Sequence, residues 1–92
     1  MPYIPLEDRP IYQKTLTELA MLIPEDRTKR CGHMNYIVSL LIEKVYGKEM
    51  RYCDYNEICG VLSCIKDELY RRKVGPYEDK AIAKNGDLSD LQ

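Results

Sequence analysis

Hydrophobic side chains recur at helical spacing in three stretches of the chain. Apolar residues three and four positions apart line one face of a helix, so this pattern predicts helices over about residues 10–23, 33–46 and 55–74. The three stripes are Tyr12, Leu16, Leu19 and Ile23, then Met34, Ile37, Val38, Leu41 and Val45, then Tyr55, Ile58, Leu62, Ile65 and Leu69. Strand-type alternation is absent from the sequence, which therefore predicts an all-α protein.

Prolines and polar residues predict the connections in the first half of the chain. Three prolines in the first ten residues predict an extended arm over residues 1–9, and Pro10 suits the first turn of a helix. The polar segment 24–32 lacks apolar periodicity and is predicted to be a loop. Pro24, the first residue of this segment, is predicted to end the first helix.

Glycine and a capping pair predict the limits of the third helix. Gly47 ends the second helix, and Asp54 with Glu57 three residues later resembles a capping box at the start of the third. Gly60 inside this helix costs about 1 kcal/mol relative to Ala. This cost predicts the close approach of another helix.

The segment YRRKVGPYEDKAIAKNGD, residues 70–87, contains two glycine-based stop signals. Gly75 is predicted to take the left-handed conformation that ends a helix, and Pro76 to begin a short helix over 76–85. Residues 86–92 follow as a tail. The predicted fold of residues 1–92 is a single domain, a compact three-helix bundle with a short fourth C-terminal helix and an extended proline-containing N-terminus.

Charge and composition narrow the class of protein. The chain has 92 residues, a formal net charge of −1 and four cysteines. This balance argues against a generally basic nucleic-acid binder. The sequence has neither a signal peptide nor an apolar run long enough to cross a membrane, which predicts a cytoplasmic protein with free thiols. Cys59 and Cys64 are predicted to be small core residues.

The segment also holds a dense group of polar and aromatic residues that forms a candidate binding corner. Its members are Tyr70, Arg71, Arg72, Tyr77, Glu78 and Asp79. The favoured interpretation is structural: Asp67–Arg71 and Glu68–Arg72 pairs along the helix, with the arginines also reaching Glu78 or Asp79. Tyr77 is expected to pack the short helix onto the third helix.

Three motifs resemble those of a small family of archaeal, bacterial and phage proteins of unknown function. They are PYIP at residues 2–5, NYIV at 35–38 and YRR…PYEDK…NGD at 70–87. The resemblance covers nearly the whole chain, with two departures, a basic segment before the second helix and an ending that continues as Leu88 and Ser89. It implies that the corner is a family hallmark, and it implies no catalytic residue.

Residues that could serve in anion binding, metal binding or nucleophilic catalysis are scattered along the chain. Arg27, Lys29, Arg30 and His33 form a candidate anion-binding group near a helix N-terminus. Cys31 and His33 with single cysteines elsewhere lack the paired spacing of a zinc site, so neither metal nor cofactor is predicted. A nucleophilic dyad would need a further group to orient the histidine.

The sequence thus favours a small helical binding or assembly module without catalytic activity. The wide apolar arc of the second helix and the eight tyrosines indicate a protein partner, with a second copy of the chain as a candidate. The first alternative is an anion- or nucleic-acid-binding regulator that uses the basic segment 27–30. The second is a nucleotide-processing enzyme, and the sequence leaves the question of enzymatic activity open.

Overall fold

The computed structural model describes residues 3–89, and all regular structure in that range is helical. The elements are a 3₁₀ turn at Leu6–Asp8, α1 at Pro10–Leu22, α2 at Arg27–Tyr46, α3 at Tyr52–Leu69, a π turn at Tyr70–Val74 and α4 at Gly75–Asn85. The all-α prediction is therefore confirmed for the described residues.

The chain divides into two units, residues 3–56 and residues 57–89. The first holds the 3₁₀ turn, α1, α2 and the start of α3, and the second holds the rest of α3, the π turn and α4. The single domain and the compact bundle stay predictions. The first two residues of the predicted arm and the last three of the predicted tail lie outside the described residues.

The N-terminal arm contains one helical turn, which corrects the prediction of a fully extended segment. The amide of Asp8 donates to the carbonyl of Pro5 at 3.0 Å, closing the 3₁₀ turn. Arg9 Nε donates to the Ile4 carbonyl at 3.0 Å, and its guanidinium carbon lies 6.0 Å from the centroid of the Tyr3 ring. A proline removes only its own N–H, so the residues between two prolines can still close a short i→i+3 turn.

Helix α2 begins at Arg27, six residues before the predicted start at His33. Asp26 is the N-cap: its carboxylate accepts from the amide of Thr28 at 2.9 Å and from the Thr28 hydroxyl at 2.8 Å. A capping aspartate satisfies amides that the first turn would otherwise leave free. The predicted loop over 24–32 is therefore wrong from Arg27 onward, because capping rather than apolar periodicity starts this helix.

Helix α3 begins at Tyr52, and Asp54 has the opposite role from the one predicted. Its Oδ2 accepts from the amide of Arg51 at 2.9 Å. Asp54 thus reaches back from the third helical position to the residue before the helix, as the acidic member of a capping box does. The predicted box is shifted by three residues.

Gly75 does not end a helix. Its backbone is right-handed helical, with φ −55° and ψ −55°, and its amide donates to the carbonyl of Tyr70 five residues earlier. A Cβ normally disfavours this conformation before a proline, and glycine lacks one. The wider π turn also makes room for the Pro76 ring against the preceding carbonyls. The predicted break is a π turn.

The apolar stripes of the helices are largely exposed to solvent. Ile58, at 9% exposure, is the one hydrophobic side chain classed as buried among the described residues. Cys59 and Cys64 are exposed free thiols, so the prediction that they are core residues is wrong. Other large exposed side chains include Leu16, Tyr36, Leu41, Val45, Val61 and Ile65.

A substitution at Gly60 tests whether a second helix approaches α3 closely. A Cβ built at Gly60 meets nothing within 4 Å among the described residues, so the predicted close approach does not come from this part of the chain. We expect Gly60→Ala to stabilise the protein by about 1 kcal/mol, because alanine is the better helix former. Chemical denaturation measures the change. A loss of stability would show that another chain packs against this position.

Candidate functional site

The candidate binding corner is organised around Glu68, which pairs with both arginines. Arg71 Nη2 lies 2.5 Å from Glu68 Oε1, and Arg72 Nε donates to the same oxygen. Arg71 thus pairs with Glu68 rather than with Asp67 as predicted, while the predicted Glu68–Arg72 pair is present. The carboxylate is 17% exposed and the arginines are more than half exposed.

The two guanidinium groups lower the pKa of Glu68, Arg72 more than Arg71, because their hydrogen bonds stabilise the ionised carboxylate. A lowered folded pKa means that the pairing stabilises the fold above the carboxyl's unfolded pKa. This contribution is lost as the pH falls through the lowered value.

Tyr70 and Glu78 make the second contact of the corner. The Tyr70 hydroxyl donates to Glu78, with distances of 2.9 Å to Oε1 and 3.0 Å to Oε2. Glu78 therefore binds a tyrosine, where the sequence suggested an arginine. The hydrogen bond and the nearby negative charge raise the pKa of Tyr70, since both oppose ionisation of the phenol.

The π turn brings these two side chains together. Tyr70 and Glu78 are eight residues apart, which in an uninterrupted α-helix places them about 80° apart around the axis. A π turn holds one more residue than an α turn, so the two positions become equivalent to a separation of seven, about 20° apart. Both residues were identifiable in the sequence as members of the corner. Their contact was not predictable, because it depends on the extra residue in the turn.

The remaining members of the corner are exposed. Tyr77 projects from the first turn of α4 with 73% of its surface exposed, and Asp79 is exposed beside it. The corner is therefore two local contacts along one helical segment, Glu68 with its arginines and Tyr70 with Glu78. Local ion pairs of this kind stabilise a helix without a ligand.

A pH titration of the tyrosines tests the Tyr70–Glu78 contact. We expect Tyr70 to ionise at a higher pH than an ordinary tyrosine, whose pKa is about 10. Since the folded pKa is raised, the contact stabilises the fold below that value and is lost as the pH rises through the folded pKa. Ring carbon NMR resolves the individual tyrosines. Glu78→Ala removes both the acceptor and the charge and should return the pKa of Tyr70 to the ordinary range, and an unchanged value in that variant would contradict the assignment.

The candidate anion-binding group lies on the first two turns of α2. Arg27, Lys29 and Arg30 belong to the helix, and His33 follows within it. The carboxylate of Asp26 already occupies the N-terminus, and Thr28 lowers its pKa by hydrogen bonding. An anion would have to compete with this carboxylate for the same positive end of the helix.

Metal and nucleophile chemistry receive no support from the geometry. Among residues 3–89, no three His, Cys, Asp or Glu side chains are grouped so that they could hold a metal ion. Cys31 and His33 are two positions apart on α2 and so point in different directions. Asn35 Nδ2 lies 3.9 Å from Cys31 Sγ instead.

The structure also contains a surface depression that the sequence did not predict. It has a volume of about 530 Å³ and lies at the C-terminal end of α2. Its lining residues are Ser39, Ile42, Glu43, Gly47, Lys48 and Met50. No motif marks these residues in the sequence, because the depression follows from the turn at Gly47 after the helix.

In the described range, none of the helices is both long enough and apolar enough to cross a membrane.

Comparison with known proteins places the chain in a family. Neither a curated protein nor a solved structure matches the chain. A family model does match, over residues 1–88, which confirms the resemblance to an uncharacterised family, while the quoted motifs and the range of organisms stay predictions. The chain belongs to the family described as Domain of unknown function (DUF6899).

Proposed function

We propose that this protein is a small, non-catalytic helical module that works by assembling with a second copy of itself. The observation that supports the proposal is the exposure of the apolar stripes of α2 and α3. Leu41 and Val45 on α2 and Ile65 and Leu69 on α3 are each more than half exposed. Burial of such side chains is the main driving force for association of protein chains.

The composition of the exposed residues supports the same function. Tyrosine and methionine are enriched in protein interfaces, and the exposed set includes Tyr36, Tyr55, Tyr77, Met21 and Met34. Contiguous apolar surface on a soluble protein commonly marks an interaction site. We include in this proposal a cytoplasmic location, which accords with the four free thiols.

The alternative functions have weaker support. Anion or nucleic-acid binding through Arg27, Lys29 and Arg30 competes with the Asp26 carboxylate at the same helix end. Binding of this kind would weaken steeply with added salt, whereas apolar association would not. A nucleotide-processing enzyme would need converging acids, and the geometry of the described residues provides no such group.

The proposal predicts a concentration-dependent molar mass. We expect light scattering to give about twice the monomer mass of 10.8 kDa at micromolar concentrations and above, falling toward the monomer on dilution. Because association stabilises the folded state by mass action, the midpoint of thermal unfolding should rise with protein concentration.

Two observations together would contradict the proposal. They are the monomer mass at every concentration and a thermal midpoint that does not depend on concentration. The same measurements at low and high salt separate apolar from electrostatic association.

A further inference from the structure

The π turn sets the direction of the apolar residues of α4 relative to those of α3. At about 100° per residue, Tyr77 and Ala81 would lie about 100° or more from Ile58 in an uninterrupted helix. With the one extra residue of the π turn, both return to within about 40° of Ile58. The contact between Tyr70 and Glu78 shows the same shift in phase.

One apolar face therefore runs through the second unit. We call it the α3–α4 face and define it by Leu62, Ile65, Leu69, Val74 and Tyr77. These positions fall within an arc of about 80°. Ile65 is 59% exposed and Leu69 is 55% exposed. The face thus offers a continuous apolar stripe rather than two separate ones.

From this face we infer an antiparallel dimer, in which the α3–α4 face of one chain packs against the same face of a second copy. The inference rests on the proposed function and specifies its binding surface. A twofold axis beside Leu69 places Leu62 opposite Tyr77 and Ile65 opposite Val74. Every apolar residue then meets an apolar residue, as a self-complementary interface requires.

The exposed area is sufficient for a dimer. Leu62, Ile65, Leu69 and Tyr77 together expose roughly 450 Å², taking on the order of 200 Å² for a fully exposed large residue. A standard interface buries about 800 Å² per partner, of which about 450 Å² is non-polar. The face supplies nearly all of that non-polar share before the flanking residues are counted.

Charge favours the antiparallel arrangement over the parallel one. Residues 57–68 contain three acids and one lysine, whereas residues 70–85 contain five basic residues and two acids. An antiparallel pair places the acidic half of each chain against the basic half of the other. A parallel pair would oppose like charges along the whole length.

Disulfide crosslinking tests the orientation. In a background with Ser at all four cysteine positions, Leu69→Cys lies beside the twofold axis and should form a covalent dimer under mild oxidation. Leu62→Cys is the matched control: two copies of this position lie about 22 Å apart along an antiparallel pair and should not crosslink. Crosslinking of both variants would show a parallel dimer, and crosslinking of neither in a protein that remains dimeric would place the interface elsewhere.

A charged substitution within the face tests it without crosslinking. Ile65→Asp should weaken dimerisation at least about a hundredfold, because each dimer would bury two unpaired carboxylates. Ser63→Asp, on the opposite side of α3, should leave the dissociation constant within about twofold.

These results separate the two proposals. A monomer at all concentrations removes the assembly function and the face with it. A dimer that is insensitive to Ile65→Asp removes only the α3–α4 face. Circular dichroism on each variant confirms that helicity is retained.

Discussion

Replacing Pro76 with alanine is expected to convert the π turn into an ordinary α turn. Proline inside a helix costs up to about 3 kcal/mol, because it lacks an amide hydrogen and its ring clashes with the preceding turn. The π turn at Tyr70–Val74 accommodates that ring. With alanine the usual i→i−4 hydrogen bond can form, and we expect the helix to gain about 1–3 kcal/mol as measured by thermal or chemical unfolding.

The same substitution should disturb the site while it stabilises the helix. When the π turn becomes an α turn, α4 rotates by about 100° relative to α3, which separates Tyr70 from Glu78. The pKa of Tyr70 should then return to its ordinary range, and the α3–α4 face should be interrupted at Tyr77. A more stable helix with weaker self-association is therefore the expected combination.

Pro10 provides the matched control for this experiment. It lies at the first position of α1, where a proline replaces an amide that would have no partner within the helix. Pro10→Ala should change stability by less than about 0.5 kcal/mol. If Pro76→Ala leaves the pKa of Tyr70 raised, the proline is not what maintains the π turn.

Gly47→Ala is expected to destabilise the protein by about 1–3 kcal/mol. Gly47 has φ 83° and ψ 175°, a backbone conformation that is essentially restricted to glycine. Among the described residues other than its two neighbours in the chain, no atom lies within 4 Å of a Cβ built there, so the expected cost arises from the backbone and not from a steric clash. Chemical denaturation measures the change in the free energy of unfolding.

Gly60→Ala makes the same chemical change in a helical backbone and serves as its control. The two substitutions should change the free energy of unfolding in opposite directions, with a loss at Gly47 and a gain at Gly60. An unaltered stability for Gly47→Ala would mean that the connection between α2 and α3 can adopt another conformation at little cost.

The parts of the fold that were predictable are those that depend on apolar periodicity. The stripes of α1, α2 and α3 identified three helices, and Pro24 correctly ended the first, since Ile23 takes the extended conformation expected before a proline. The start of α2 was missed because its first turn is polar. Its only signal is Asp26, whose capping role is visible from its contact with Thr28.

The corner was predictable as a set of residues but not as an arrangement. Glu68 with Arg72 follows from helical spacing. Tyr70 with Glu78 does not, because their separation of eight residues is out of phase in an α-helix. Gly75 before Pro76 is equally compatible with a helix stop and with a helix that continues through a wider turn, and the difference lies in one backbone conformation.

The π turn also has a consequence for changes in chain length. A helix that already contains one surplus residue can lose it without losing its ends: removal of a single residue from 70–74, with Pro76 also replaced by alanine, would leave α3 and α4 joined as a regular α-helix. Most helices resist a deletion of one residue, because it turns everything beyond it out of register. Here the deletion removes the irregularity itself and keeps α4 in phase with α3, so we expect a chain shortened by one residue in this segment still to fold once Pro76 no longer needs the wider turn.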